Sequence, residues 1–171
     1  RNIVGLKPEK RASLGLSRTF QLIRLFTMND ATAMDNVMLG AHMELKPTLF
    51  DAVLRRGKIV GKVVSVQKRA SEILDFVGLS GLETAMPSNL SFGNRRLLEL
   101  ARALMTEPRL LLLDEPASGL NDSEVELFTQ LLLDIRERGV TILLVEHNMK
   151  LVMNIADDII VLDFGRKLAE G

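Results

Sequence analysis

The chain has 171 residues, enough for one domain, and its 47% hydrophobic and 26% charged content excludes a disordered polar segment. Lys and Arg number 22 against 22 Asp and Glu, so no global field draws the chain to nucleic acid or to an anionic membrane. Cysteine is absent, which excludes disulfides and thiolate metal sites and fits a reducing compartment, and no apolar run approaches the roughly 20 residues that span a bilayer.

Residues 1–15 are polar and basic, with Lys7, Lys10 and Arg11. Leu14 to Phe20 alternates apolar residues and predicts a short strand ending at Gln21. Thr32-Ala33-Met34-Asp35 has capping-box spacing and predicts a helix through Val37, Met38, Ala41 and on toward Leu45. His42 falls in that helix, and a single histidine without ligand partners argues against a metal there. Lys46-Pro47 should stop the helix, and Leu49 to Leu54 suggests a short amphipathic turn. Arg55, Arg56 and Lys58 read as a solvated basic loop, with contact to phosphate or headgroups as the alternative.

Lys62 to Val77 predicts an amphipathic helix with Val63, Val66, Ala70, Ile73 and Val77 on its apolar stripe and Gly78 ending it. Gly81 to Asn89 is a loop. Ser91-Phe92-Gly93 then opens a helix expected to turn Leu97, Ala101 and Leu104 inward and Arg95, Arg96 and Glu99 outward, until Pro108. Asn121 or Asp122 should cap the next helix, with Glu124 and Glu126 favouring its dipole and Val125, Phe128, Leu132 and Ile135 as its stripe. Gly139 ends it, and Val140 to Val145 reads as a buried strand. Asn148 should cap a helix through Ile155, and Asp158 to Leu162 should form a strand that turns at Phe164-Gly165-Arg166 into a last one. Strands alternating with helices, around an inserted helical block, predict an α/β fold whose later strands run parallel.

The chemistry concentrates in Leu110-Leu111-Leu112-Leu113-Asp114-Glu115-Pro116. A short apolar run bounded by turn signals reads as a strand buried on both faces. Two carboxylates at its carboxyl end would sit on the rim of an open sheet, where ligands bind. Asp114 is placed to hold a hard cation and Glu115 to orient or deprotonate a water. Taken singly, the run also fits a core strand leaving into solvent, and Ser-x-Gly before a helix also fits a plain cap.

The order and spacing of these pieces, with Val145-Glu146-His147 after them, resemble the ATPase subunit of ABC transporters. Leu90 to Asn94 match the signature motif, Leu110 to Glu115 the Walker B strand, Ala117 to Asn121 the D-loop, His147 the switch histidine and Gln21 the Q-loop glutamine. Leu16 to Phe26, the insert from Ala41 to Asp75 with Thr48-Leu49-Phe50, and Glu146 to Met153 are similar to the longer of the two ATPases of branched-chain amino-acid importers. Urea and lipopolysaccharide-transport ATPases look alike, and an ABC ATPase acting on nucleic acid or the ribosome is the alternative outside transport.

The resemblance implies an incomplete RecA-like P-loop NTPase core with an inserted α-helical ABC subdomain. Residues 1–27 would be partial core ending in the Q-loop, 28–100 the helical subdomain with the signature, and 101–171 core with Walker B, D-loop and switch histidine. It implies ATP and Mg²⁺ as cofactors. Asp114 and Gln21 would hold the metal, Glu115 would be the general base, and His147 and Gln21 would act beside it. Ser91, Phe92, Gly93, Asn94 and Asn121 would meet ATP bound on a second copy. Implied partners are a second ABC ATPase subunit, identical or not, and membrane permease subunits docking near Gln21 to Asn29, with no nucleic acid. The implied location is peripheral, on the cytoplasmic face of the cell membrane.

Phe92 and Asn94 depart from the common Leu-Ser-Gly-Gly-Gln, although an aromatic at Phe92 is common in the branched-chain branch. No Gly-x-x-x-x-Gly-Lys-Ser/Thr occurs in the 171 residues. That motif's amides and lysine provide most phosphate binding. The expectation is therefore a fragment truncated at both ends that alone binds ATP very weakly and hydrolyses almost none.

Overall fold

The computed structural model describes residues 2–19, 21–42 and 56–171, with 29 and 56–60 described by backbone only. Among these, a parallel sheet has the order β1 (Leu16–Arg18), β2 (Leu110–Asp114), β3 (Thr141–Val145). Leu16 lies opposite Leu110 and Asp114 opposite Val145. The β2–β3 crossover is the helix α5 (Asp122–Glu137), as a parallel connection requires. Helices α1 (Pro8–Ala12), α2 (Ala33–Met38), α3 (Arg56–Phe76) and α4 (Phe92–Leu104) precede it, and α6 (Met149–Ile155) follows β3. The chain closes with β4 (Ile160–Asp163) and β5 (Arg166–Glu170).

β1 is shorter than Leu14 to Phe20. Gly15 stands at φ +85°, a left-handed conformation that Gly adopts readily, and its carbonyl accepts from the Arg109 and Leu110 amides at 2.7 and 3.0 Å. The pairing therefore begins only after Gly15. Phe20, Leu45, Lys46-Pro47, the turn over 49–54 and Arg55 lie outside the described residues. α3 begins at Arg56 rather than Lys62, so Arg56 and Lys58 belong to a helix and not to a loop. Arg and Lys are good helix formers, and Gly57 and Gly61 do not break it.

One core joins the helices to the sheet. Val37 of α2, Val66, Ala70 and Leu74 of α3, and Leu98 and Ala101 of α4 are buried together with Leu111, Leu113, Val125, Phe128, Leu132 and Leu151. Two elements depart from their expected faces. On α3, Val63 is exposed and Leu74 fully buried. On α4, Arg96 and Glu99 are buried instead of outward. Leu98, Leu100 and Ala103 are buried too, so this helix is covered on most of its circumference and its stripe was too narrow a guide. Gly40 permits the close approach of α2's end: a Cβ there would lie 2.5 Å from the Arg102 carbonyl oxygen.

Among the described residues the sheet is covered on one face, not two. Leu111 and Leu113 lie opposite Ile142 and Leu144, and all four join the core. The alternate residues Leu143 and Val145 are exposed. Strands expected to be buried on both faces are thus half-buried. β4 does not extend the parallel sheet either; it pairs antiparallel with β5. Phe164 and Gly165 make the two-residue turn at φ +44° and +75°, and two successive positive φ values are what a tight hairpin requires. Among the described residues no helix is long and apolar enough to cross a membrane.

Candidate active site

β1 and β2 are parallel neighbours, so the residues following each strand emerge side by side. Gln21 follows β1 and Glu115 follows β2. The Gln21 side chain donates from Nε2 to Glu115 Oε2 at 3.0 Å. His147 follows β3, the next strand over, with Nδ1 3.9 Å from Glu115 Oε1. Asp114, the last residue of β2, accepts from Arg18 Nη2 of β1 at 3.2 Å. The four residues Gln21, Asp114, Glu115 and His147 therefore gather at the carboxyl ends of three adjacent strands. Both acids are about one-third exposed, with side-chain exposures of 36% for Asp114 and 32% for Glu115, so solvent or a ligand can reach them.

Glu115 carries unusual backbone geometry. Its φ is +45°, which costs a non-glycine residue about 1–2 kcal/mol. Its amide still donates to the Val145 carbonyl at 2.8 Å, so the ladder holds the residue as the chain turns away from the sheet. Left-handed residues at the rim of a sheet are a common way of storing strain at a site.

The signature residues form a second group. Ser91 caps α4 by accepting from the Asn94 amide at 3.1 Å. Phe92 is partly exposed, and its ring covers Gly119 at φ +82°: a Cβ on Gly119 would fall 2.8 Å from ring Cε1. A Cβ on Gly93 would fall 2.5 Å from Glu124 Oε1, so a larger residue there would displace the Glu124 carboxylate where the starts of α4 and α5 meet. Asn121 caps α5 in a full capping box with Glu124: its Oδ1 accepts from the Glu124 amide at 3.0 Å and from Ser123 Oγ at 2.6 Å. The side-chain oxygen of Asn121 is thus engaged within its own chain.

Three participants escaped the motif reading. Glu146 has a side chain only 1% exposed, and its carboxylate accepts from three amides: Ala117 at 2.8 Å, His147 at 2.9 Å and Asn148 at 3.1 Å. It ties the segment after Glu115 to the segment bearing His147. An acid at the end of an apolar strand, just before a helix cap, was the available signal. Arg18 orients Asp114, and an alternating strand gives no hint of that partner. Asn36, fully buried on α2, accepts from the Phe26 amide at 2.7 Å and donates to the Phe26 and Thr32 carbonyls, each at 2.9 Å. It anchors the stretch that follows Gln21.

No described group of three or more His, Asp or Glu side chains forms a metal cage. Mg²⁺ does not need one, since it commonly takes one or two carboxylates and completes its shell with waters and phosphates. A hard, partly open Asp114 carboxylate, with the Gln21 amide at the neighbouring strand end, fits that donor set.

Known proteins show the family and the fold. A family model described as "ABC transporter" matches residues 7–118. The chain is 39% identical over its whole length to the high-affinity branched-chain amino acid transport ATP-binding protein LivG of Salmonella typhimurium, covering 67% of that protein. It is 38% identical to the corresponding protein BraF of Pseudomonas aeruginosa over 99% of this chain and 66% of that one. Among solved structures, a nucleotide-free ATP-binding cassette from an ABC transporter superposes with a TM-score of 0.80 at 27% identity, covering 100% of this chain and 66% of that one. The chain thus spans about two thirds of the length of these relatives. With the family model, the whole-chain similarity and the fold in agreement, this chain belongs to the ABC transporter family, among its α/β ATP-binding cassettes.

Proposed function

We propose that this chain carries the water-handling side of an ATP-hydrolysing site, in a subunit that powers import of branched-chain amino acids. The observation that carries the reading is the shared carboxylate of Glu115, held by Gln21 at 3.0 Å and approached by His147 at 3.9 Å. Glu115 takes the proton of the attacking water, which makes it the general base. Gln21 fixes the orientation of that carboxylate and of the water. His147, with its side chain 73% exposed, reaches toward the γ-phosphate. Asp114 and the Gln21 amide oxygen hold Mg²⁺, and the bound ion supplies neutralisation of the charge that develops on the phosphate oxygens.

The exposed start of α4 serves a second nucleotide. Ser91 and the amides of Phe92 and Gly93 present a helix N-terminus suited to an anion on a second cassette, with the Asn94 side chain beside them. Asn121 sits beside that surface. The helical subdomain is taken to lie within residues 28–100, between core segments 1–27 and 101–171, and its second boundary falls inside α4. The exposed apolar side chains Leu22, Phe26 and Met28 offer a contact for the permease, and this supports a peripheral position at the cytoplasmic face of the membrane.

The test is uptake. The intact subunit, reconstituted with its permease and a solute-binding protein in vesicles, should import leucine in step with ATP hydrolysis. Hydrolysis without uptake of any branched-chain amino acid would leave the ATPase reading standing and remove the substrate. Absence of hydrolysis would remove both.

A further inference from the structure

The buried position of Arg96 joins segments that sequence keeps far apart. Its side chain is 4% exposed, and that of Glu99, one turn along α4, is 2% exposed. Nη1 of Arg96 donates to Glu99 Oε2 at 3.3 Å. Nη2 donates to the main-chain carbonyl of Gln21 at 3.2 Å. The guanidinium carbon lies 5.8 Å from the centre of the Phe92 ring. That ring in turn covers Gly119. Gln21 reaches Glu115 with its own side chain. A closed path therefore runs from Glu115 through Gln21, Arg96 and Phe92 to Gly119, and returns to Glu115 along the chain.

We propose that Arg96 is a positioning residue that locks the Gln21 segment to the start of α4, so that the Glu115 carboxylate and the Ser91–Asn94 surface keep one relative placement. The proposal deepens the ATPase reading above and rests on it. Stability alone is a poor reason for this pair. A buried ion pair costs heavily in desolvation, and apolar residues of similar volume often replace one without loss. What apolar residues lack is the rigid fork of donors, which here spans a carboxylate and a main-chain carbonyl from another segment. The ring of Phe92 adds a face that a guanidinium, with its delocalised charge, favours.

The experiment uses the intact subunit and two variants. Arg96→Met combined with Glu99→Leu removes both charges at similar volume. Arg96→Lys keeps a charge but loses the fork. The paired variant should melt within about 3 °C of the parent. Amide exchange at residues 21–23 should quicken about tenfold or more. The kcat for ATP hydrolysis should fall about tenfold, with KM changed less than about twofold. Arg96→Lys should lie between parent and paired variant in both readings. Unchanged exchange and unchanged kcat in the paired variant would show the pair to be core filling. A raised KM at unchanged kcat would also overturn the proposal, because it reports lost binding rather than lost placement. Should the paired variant fail to fold, Arg96→Lys decides by the same exchange and kcat readings. If the parent hydrolyses no ATP, the functional reading falls alone, and the exchange measurement still decides whether Arg96 holds the Gln21 segment.

Discussion

Gln21 Nε2 donates to Glu115 Oε2 over 3.0 Å, although the residues lie 94 positions apart. The contact follows from pairing β1 beside β2 in parallel register, which delivers the segments after both strands to the same rim. It gives Glu115 a fixed carboxylate orientation while a third of the side chain remains open to water.

Replacing Glu115 by Gln keeps size and hydrogen bonding but removes the base. In the intact subunit, ATP hydrolysis should fall by about 10²–10⁴-fold, the usual worth of a positioned general base. ATP should still bind, and an ATP-bound dimer should accumulate in size-exclusion chromatography. Hydrolysis within twofold of the parent would remove Glu115 from that role.

Glu146 offers a separate test, because its three accepted amide bonds join the Ala117 and His147 segments. Glu146→Ala leaves two part-buried amides and one exposed amide without that acceptor and should cost about 1–3 kcal/mol in urea denaturation. Glu146→Gln keeps one carbonyl oxygen and should cost less. An unchanged midpoint in Glu146→Ala would mean that water replaces the carboxylate at no loss.

Phe92 and Gly119 should behave as a coupled pair. Gly119→Ala meets both an unfavourable φ of +82° and the Phe92 ring at 2.8 Å, and should destabilise by more than about 1 kcal/mol. In a Phe92→Ala background the ring clash is absent and only the backbone cost persists. The double-mutant cycle should therefore show an interaction of at least about 0.5 kcal/mol. Strict additivity would place the ring elsewhere in solution.

The α2 cap predicts an acid limb of stability. Asp35 accepts from Thr32 Oγ1 and from the Thr32 amide, and these bonds hold its carboxyl below the usual range. A carboxylate depressed in the folded state adds stability above its unfolded value of about 3.9, and that stability is lost as pH falls through the lower folded value. Denaturation midpoints of the parent and of Asp35→Asn should differ at pH 7 and converge toward pH 3. A constant gap across that range would assign the difference to something other than the Asp35 charge.

Much of this architecture is written locally. The capping boxes Thr32–Asp35 and Asn121–Glu124 both form, because a cap needs only residues three apart. The stripe Val125, Phe128, Leu132, Ile135 is buried as its period requires. The acids of β2 lie at its carboxyl end because the apolar run stops there. Gly78 and Gly139 end their helices at positive φ, a conformation with no penalty for glycine.

What the amino-acid order by itself determined, then, was the type of most described elements, the caps of several helices, and the strand end that carries the acids. Tertiary structure alone decided which faces were covered and which long side chains met. Arg96 reads as a surface residue from its neighbours on the helix, and its burial depends on a carbonyl 75 residues away. Leu143 and Val145 read as core, yet their face of the sheet is exposed. The reason is range: periodicity reports chemistry within a few turns or pleats. The partners of a guanidinium, a buried carboxylate or a sheet face come from segments that only the completed fold brings within bonding distance.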